Sequence, residues 1–180
     1  SGKTILAKCL CEIANVTPAL MPDSGDNAEI RKALLSLWRE NRRVVVLDNI
    51  TGAIDSPALC ALLTAEVYSD RVLGLSQTLS LPTRFLLMLT GNNVVLKDDL
   101  CRRVLTARID TETEEPWKRS FDLDPVAHCR DNRLSIVAAA LTIIRAGMQS
   151  GPNMPDRTAS FELWSDTVRR AVCHVRDVID

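Results

Sequence analysis

The sequence predicts an α/β protein in which helices cover both faces of a parallel sheet, followed by a smaller helical subdomain. Two short apolar runs, within 43–48 and 84–90, have the length and hydrophobicity of strands buried on both faces. Segments with helical apolar spacing alternate with these runs, and such alternation indicates a three-layer α/β/α arrangement with crossover helices. Beyond residue 124 only helical patterns follow, so we expect a core domain of residues 1–124 and a helical lid subdomain of residues 125–180.

The elements can be placed in order along the chain from apolar periodicity and from residues that start or stop helices. Asp26 or Asn27 can cap the second helix, and Ser56-Pro57 opens the third. Helices are expected at 3–14, 28–40, 57 to about 68, 133–147 and 161–178, with one or two helical turns at 98–103. Strands are expected at 19–21, 43–48, 84–90 and 104–110, a hairpin or irregular insertion at 71–81, and loops at 111–124 and 150–155.

Composition excludes several classes of protein. The 180 residues are 46% hydrophobic and 25% charged, which is ordinary for a globular chain and excludes disordered and fibrous ones. The net charge of −1 gives no overall attraction to nucleic acid. No run approaches the roughly 18 consecutive apolar residues of a membrane helix, so we expect no membrane contact and a cytoplasmic location.

Six cysteines are present, and none forms a C-x-x-C pair. They are Cys9, Cys11, Cys60, Cys101, Cys129 and Cys173. Most of them lie inside apolar runs, which is typical of reduced, buried thiols in a cytosolic protein. The alternative is a zinc site that joins His128-Cys129 to Cys173-His174, although this spacing matches no standard finger.

The first four residues, Ser1-Gly2-Lys3-Thr4, match the end of the phosphate-binding pattern G-x-x-x-x-G-K-[ST]. Backbone N–H groups at a helix N-terminus, here beginning at Gly2, are unpaired donors that bind phosphate oxygens. Lys3 would reach the β- and γ-phosphates of ATP, and the Thr4 hydroxyl would bind Mg²⁺. The alternative is a chance tripeptide, but a helical pattern follows at once, as the motif requires. We expect that the chain begins within this loop and that the preceding strand and first glycine lie outside it, which would weaken nucleotide binding by the 180 residues alone.

Asp48 directly follows the apolar run Val44–Leu47, as in a Walker B strand. A carboxylate at the carboxyl end of a buried strand can hold Mg²⁺, usually through water. The alternative is an aspartate that only ends a strand. Asp55, Glu66 and Asp70 are candidates for a base that activates the attacking water.

Two further groups of polar residues follow the strand at 84–90. Gly91-Asn92-Asn93 is expected to end this strand, and Asn92, or else Asn93, would orient the water or touch the γ-phosphate. The alternative is turn chemistry, because Gly and Asn are common turn formers. Arg102 and Arg103 come next, and one of them would reach the γ-phosphate in a neighbouring subunit as an arginine finger. The alternative is a solvated surface arginine.

The set G-K-T, VVVLD, TGNN and DDLCRR, in this order, resembles the AAA+ superfamily of P-loop ATPases. Several segments also resemble phage- and plasmid-associated ATPases that occur with primases and resemble replicative helicases. These segments are Leu63–Glu66, Asp70–Gly74, Thr90–Asn93, Asp99–Arg103, Arg108–Asp110, Glu115-Pro116, Arg119–Phe121, Leu141-Thr142, Arg145-Ala146 and Ser160–Glu162 with Trp164.

The resemblance implies a homo-oligomeric ring, a role in mobile-element DNA replication and a 71–81 insertion that faces the ring pore. It also implies that Arg145 serves as the lid arginine that contacts the nucleotide, with a solvated or capping role as the alternative. Asn49 departs from the family pattern, because most hydrolysing relatives carry Glu there and an amide accepts no proton from water.

Three functions therefore stay open. The first is a helicase-like or primase-associated motor on single-stranded DNA, although only 4% of the residues are aromatic and stacking contacts would be few. The second is an AAA+ ATPase that remodels or assembles proteins. The third is a nucleotide-dependent switch with little turnover, to which Asn49 points.

Overall fold

A computed structural model describes residues 2–22, 26–71, 78–109, 121–149 and 156–179. The helices are α1 (Gly2–Ala14), α2 (Asn27–Arg39), α3 (Pro57–Thr64), a 3₁₀ helix (Asp98–Arg102), α4 (Pro125–Asp131), α5 (Arg133–Gln149), α6 (Glu162–Trp164), a π-helical segment (Ser165–Arg169) and α7 (Arg170–Ile179). The strands are β1 (Ala19–Pro22), β2 (Val44–Ile54), β3 (Val67–Arg71), β4 (Thr78–Pro82) and β5 (Leu86–Leu96).

Two sheets are present in the described part of the chain. The larger has the order β1-β2-β5, and both of its pairings are parallel. The smaller is the antiparallel pair β3-β4, which confirms a hairpin in the predicted insertion, although β3 begins earlier, at Val67. Residues 72–77 lie outside the described residues. The parallel sheet expected from the alternating pattern is therefore confirmed.

The central strand β2 is buried on both faces, which explains its uninterrupted apolar run. On one face Val44 and Val46 pack with Ala7 and Cys11 of α1. The other face carries a second cluster, which joins β2 to α2, α3 and the 3₁₀ helix. Its buried members are Ile30, Leu34, Val45, Leu47, Ile50, Leu59, Leu62 and Leu100. Helices thus cover both faces of the sheet.

Side-chain caps fix the starts of two helices, as the sequence predicted. Asp26 accepts a hydrogen bond from the N–H of Ala28 at 2.8 Å, before α2. Ser56 accepts one from the N–H of Leu59 at 3.3 Å, and Pro57 follows in the first turn of α3. The predicted end of α3 near Tyr68 was wrong. The backbone turns extended at Ala65, because the following residues pair with β4 instead.

Two strand predictions in the core domain were wrong. β5 does not end at Gly91-Asn92-Asn93 but continues to Leu96, because β2 also continues and the two strands stay paired. Residues 104–109 form neither helix nor strand. A strand needs a neighbour for its backbone hydrogen bonds, and no strand of the described residues pairs with this segment.

The chain divides into two units, Ser1–Val126 and Ala127–Asp180. In the second unit α5 packs against α7, and a Cβ on Gly147 would lie 2.5 Å from the Cα of Ala171. The predicted helices at 133–147 and 161–178 are confirmed, the second with a π-helical segment inside it. α4 was not predicted. Residues 111–120 and 150–155 of the expected loops, and residue 110 of the expected strand, lie outside the described residues. No helix in the described ranges is long and apolar enough to cross a membrane.

Candidate functional site

The first turn of α1 meets the carboxyl end of the buried segment of β2. The Thr4 hydroxyl donates a hydrogen bond to Asp48 Oδ1 at 2.9 Å, although 44 residues separate the two in sequence. α1 reaches this position because Ala7 and Cys11, one and two turns further on, pack against Val44 and Val46. The fold therefore brings together the two residues that the sequence assigned to Mg²⁺.

Lys3 and Asn92 form a second contact beside the first. Lys3 Nζ donates a hydrogen bond to Asn92 Oδ1 at 2.7 Å, across 89 residues of sequence. The amide oxygen of Asn92 thus faces the α1 terminus. Asn93 instead occupies a left-handed backbone conformation, with φ of 53°, and its side chain is exposed. The structure therefore brings Asn92, rather than Asn93, to the lysine of the phosphate-binding motif.

Sequence reasoning gave no role to Thr90, which joins the same group. Its side chain is buried, and its hydroxyl donates a hydrogen bond to Asp48 Oδ1, the oxygen that also accepts from Thr4. Its position in the sequence could have indicated a role, because Thr90 is a polar residue directly after the apolar run 85–89. Three elements, α1, β2 and β5, therefore meet at one carboxylate oxygen.

The surroundings of Asp48 favour its ionised form. The hydrogen bond from Thr90 is the largest effect and lowers the pKa of this carboxyl below its usual 3.8. Burial opposes this effect, while hydrogen bonds from Thr4 and the backbone N–H of Asn49 and the charge of Lys8 add to it. Asp48 is therefore a carboxylate at neutral pH, which is the state that binds a cation.

The pairing of β2 and β5 is irregular at this point. Leu47 pairs with Leu89 and Ile50 pairs with Gly91, so β2 has one extra residue between these pairs. Thr51 pairs with Asn92 and Ala53 pairs with Val95, so here the extra residue is in β5. Bulges of this kind bend a strand and redirect its side chains. Asp48 and Asn49 lie in the first irregularity and Asn93 in the second, so the predicted polar residues lie where the ladder is distorted.

Gly91 does not end the strand, as the sequence suggested, and it is not a turn residue, which was the alternative. It lies inside β5, and its φ is not in the left-handed region. A Cβ at this position would lie 2.3 Å from the carbonyl oxygen of Ile50 and 2.4 Å from Cγ2 of Val94. Glycine is therefore required for the close approach of β5 to β2. This approach places Thr90 and Asn92, on either side of Gly91, at the α1 terminus.

The backbone conformation at position 49 explains why Asn is found there. Its φ is 61° and its side chain is exposed. Asn enters the left-handed region more easily than Glu does, because its short polar side chain can hydrogen-bond locally. The bulge that presents Asp48 thus favours Asn at position 49.

The candidate bases lie on different elements. Asp70, on β3, forms an ion pair with Arg31 of α2 at 3.1 Å and accepts a hydrogen bond from Tyr68 at 3.4 Å. Asp55 follows the end of β2, and Glu66 precedes β3. Asp70 is therefore engaged in holding the hairpin to α2.

The two candidate finger arginines differ in their contacts. Arg103 donates to Asp99 from Nε at 3.1 Å and also from Nη2, and it lies beside the Cys60 thiol. Arg102 is exposed and forms no hydrogen bond to the other described residues. Arg103 is thus hydrogen-bonded within its own chain, while Arg102 acts on Asp99 only through its charge. Arg145 lies exposed on α5, in the second unit.

The donor set at Asp48 suits Mg²⁺. Mg²⁺ is a hard cation that usually takes one or two carboxylate or hydroxyl oxygens from the protein and the rest from phosphates and water. The Thr4 hydroxyl and the Asp48 carboxylate are ligands of this kind. In the part of the chain that the structure describes, no group of three or more His, Cys, Asp or Glu side chains is arranged to hold a metal, so the alternative zinc site has no support there.

Comparisons with protein-family models, curated proteins and solved structures found no match to this chain. The contacts among Lys3, Thr4, Asp48, Thr90 and Asn92 are therefore the observations from which a function can be proposed.

Proposed function

We propose that this chain is a P-loop ATPase domain of the AAA+ type, which binds ATP and Mg²⁺ where the first turn of α1 meets Asp48 of β2 and Asn92 of β5. The observation that carries the proposal is the convergence of four side chains from distant parts of the sequence. Lys3 and Thr4, next to each other on α1, contact Asn92 and Asp48 respectively. A chance G-K-T would not be expected to meet the two residues to which the other motifs assign phosphate and metal roles.

Each of these groups has a part in binding the nucleotide. The unpaired N–H groups at the start of α1, from Gly2 onward, favour an anion because the 13-residue helix directs the positive end of its dipole there. The Lys3 ammonium supplies the matching charge for the β- and γ-phosphates. Mg²⁺, when bound through Thr4 and Asp48, neutralises the charge that develops on the phosphate oxygens.

The topology supports the proposal at a coarser level. In open parallel sheets, ligands bind outside the carboxyl ends of the strands. Asp48 follows the buried run Val44–Leu47 on its carboxyl-terminal side, and Asn92 lies on the same side in β5, while the two strands continue to Ile54 and Leu96. The order β1-β2-β5 and the packing of α1 against β2 are compatible with a P-loop layout.

Hydrolysis needs a base, and Asn49 does not supply one. The Asn92 amide would orient the attacking water or contact the γ-phosphate, which is positioning rather than proton transfer. A domain of this kind binds ATP and turns it over slowly. The second candidate function is a nucleotide-dependent switch. It is favoured by the presence of Asn, which cannot act as a base, at position 49.

The wider role that we propose follows the resemblance in sequence. The domain would form a homo-oligomeric ring in the cytoplasm and drive a helicase- or primase-associated motor on single-stranded DNA in mobile-element replication. Arg102, whose side chain is exposed, would reach the nucleotide of a neighbouring subunit. A protein-remodelling ATPase is the alternative, and stimulation by a protein rather than by DNA would identify it.

The direct test is ATP binding by the intact protein with and without Mg²⁺. We expect Lys3→Ala to weaken ATP binding by about 10- to 100-fold, because a charge-assisted contact is lost. Asp48→Asn should remove most of the Mg²⁺ dependence. The matched control is Lys32→Ala, on α2, whose lysine pairs with Glu29 on the surface. Equal weakening by the two lysine variants, or none by either, would show that Lys3 has no special role and would refute the proposal.

A second experiment separates the wider roles. ATP turnover by the intact protein is measured with and without single-stranded DNA, for wild type, Arg102→Gln and Arg103→Gln. A DNA motor is stimulated by the strand, and Arg102→Gln should lower turnover in the assembled state without changing ATP affinity. Absence of both DNA binding and stimulation would remove the motor role and leave ATP binding in place.

A further inference from the structure

We propose that Thr90 is a positioning residue for the metal site: its hydroxyl holds the Asp48 carboxylate in the orientation that receives Mg²⁺ with the nucleotide. The inference rests on the proposed function, because it concerns the cation of that same site. The sequence motifs give Thr90 no such part. The observation that points to it is the hydrogen bond from Thr90 to Asp48 Oδ1.

Thr90 is buried, with 8% of its surface exposed, and it directly follows Leu89, the partner of Leu47 in the last regular register of the two strands. A hydroxyl has one proton to donate, and Thr90 gives it to Asp48. A buried polar side chain that lost this bond would incur the full cost of desolvation. The folded state therefore requires the hydrogen bond between Thr90 and Asp48, unlike a hydrogen bond between exposed side chains.

Asp48 needs an external group to fix its orientation. Rotation of a carboxylate about its last side-chain torsion is broad and meets little resistance. Thr4 also donates to Oδ1, but its hydroxyl is the group that the motif assigns to the cation. Thr90 lies on the neighbouring strand, and its role requires no contact with the nucleotide. It can therefore hold the carboxylate both before and after Thr4 engages the cation.

The backbone around Thr90 restricts where its hydroxyl can lie. Threonine is branched at Cβ, so few side-chain rotamers are open to it. The next residue, Gly91, is close enough to the Ile50 carbonyl that a Cβ would lie 2.3 Å from that oxygen. β5 is thus held tightly against the bulge of β2 that presents Asp48. The hydroxyl is positioned by the strand pairing itself.

The test compares Thr90→Val, which keeps the shape and removes the hydroxyl, with Thr90→Ser, which keeps the hydroxyl. ATP affinity of the intact protein is measured with Mg²⁺ and with excess chelator, and Mn²⁺ binding in the presence of ATP is followed by the spectrum of the bound ion. We expect Thr90→Val to weaken the metal-dependent affinity by about tenfold, the loss of one hydrogen bond to a charged group. ATP affinity in chelator should stay unchanged, and Thr90→Ser should lie within about threefold of wild type.

Thr90→Ala, which also removes the hydroxyl, repeats the test if the valine variant does not fold. Equal metal-dependent affinities for wild type and Thr90→Val would overturn the inference while leaving the proposed function standing. An equal loss of affinity with Mg²⁺ and with chelator would overturn it too, because a general structural defect would explain that result. Absence of metal-dependent ATP binding by the wild-type protein would overturn the proposed function, and this inference with it.

Discussion

The two halves of the β2-β5 pair are built differently. In the amino-terminal half, Val44–Leu47 pairs with Leu86–Leu89 in unbroken register, and β2 is fully buried there. In the carboxyl-terminal half, Ile50–Ile54 pairs with Gly91–Leu96 with one irregularity between Thr51 and Ala53, and a second irregularity separates this half from the first. Most residues of this half are exposed. The change from one half to the other falls at Asp48 and Thr90, which are joined by a hydrogen bond.

The regular half of the strand pair chiefly stabilises the fold, and the irregular half chiefly positions the residues of the site. The regular half places apolar side chains in the two core clusters on either face of the sheet. The irregular half contributes one buried residue, Ile50, to the main cluster, and Ile54, Val94 and Leu96 pack against it only partly buried. It also sets the directions of Asp48 and Asn92. We therefore expect substitutions in the first half to lower the free energy of unfolding most, and substitutions in the second to act chiefly on nucleotide binding.

The largest effect is expected for Leu47→Ala in the regular half. Leu47 is only 2% exposed and belongs to the main core cluster, so its truncation leaves a cavity. We expect a loss of about 2–5 kcal/mol in the free energy of unfolding, measured by denaturant titration. The matched control is Val95→Ala in the irregular half, where the valine is 55% exposed and the loss should be under about 0.5 kcal/mol. Similar losses for the two variants would contradict the division.

The next effect is expected for Gly91→Ala in the irregular half. The new methyl group would meet the Ile50 carbonyl and the Val94 side chain, so the two strands must separate. Overpacking of this kind costs about 1–3 kcal/mol, and Thr90 and Asn92 would move with the strand. We expect ATP binding to be lost even at temperatures where the variant is folded.

The control for this prediction is Gly52→Asn. Gly52 has a φ of 84°, and nothing lies within 4 Å of a Cβ added there. Asn tolerates such a backbone, so unfolding and ATP binding should change little. A variant Gly91→Ala that binds ATP as the wild type does would show that close approach of the strands is not needed at the site.

A smaller effect is expected at Asn49, whose left-handed backbone belongs to the first bulge. Asn49→Glu should lower the free energy of unfolding by about 1 kcal/mol, because a longer side chain is disfavoured in that conformation. Asn49→Gly should change it by only a few tenths of a kcal/mol. Thermal unfolding of the two variants checks the difference. If Asn49→Glu is as stable as Asn49→Gly, the bulge does not explain the residue found there.

The smallest effect concerns the 3₁₀ helix that follows β5. The hydrogen bond from Arg103 is the main reason that the pKa of Asp99 lies below its ordinary value of 3.8. A carboxyl with a lowered pKa in the folded state contributes stability above its unfolded pKa, and this contribution is lost as pH falls through the folded value. We expect Arg103→Gln to raise the pKa of Asp99 toward its ordinary value, as measured by NMR titration of the side-chain carboxyl.

Arg102→Gln is the control for this titration, because Arg102 acts on Asp99 only through its charge and not by a hydrogen bond. Its effect on the pKa of Asp99 should be smaller than that of Arg103→Gln. Equal shifts for the two variants would mean that the two arginines share the carboxylate, and the assignment of Arg102 to outside contacts would then fail.

The elements that local physics determines could be predicted from sequence. The run Val44–Leu47 is a buried strand because no polar residue interrupts it, and Ser56-Pro57 starts a helix because both residues suit a helix N-terminus. The pairing of Lys3-Thr4 with the far polar residues could be expected as well. Once α1 and the parallel strands are in place, their ends share one edge of the sheet.

The features that depend on strand pairing could not be predicted in the same way. Gly91 was expected to end the strand, because glycine often interrupts strands, and its need for space is visible only beside the Ile50 carbonyl. The role of Thr90 depends on a register that sequence periodicity does not give. The strand expected within 104–110 was wrong for residues 104–109, because β propensity is not sufficient without a partner strand.

We propose that the start of α1, Asp48 of β2 and Asn92 of β5 form one site for ATP and Mg²⁺. The most direct measurement is an experimental structure of the intact protein with a non-hydrolysable ATP analogue and Mg²⁺. We expect the phosphates at the N-terminus of α1, Mg²⁺ at Thr4 and Asp48, and the Lys3 ammonium moved from Asn92 onto a phosphate. A nucleotide bound elsewhere, with the contact between Lys3 and Asn92 intact, would contradict the claim.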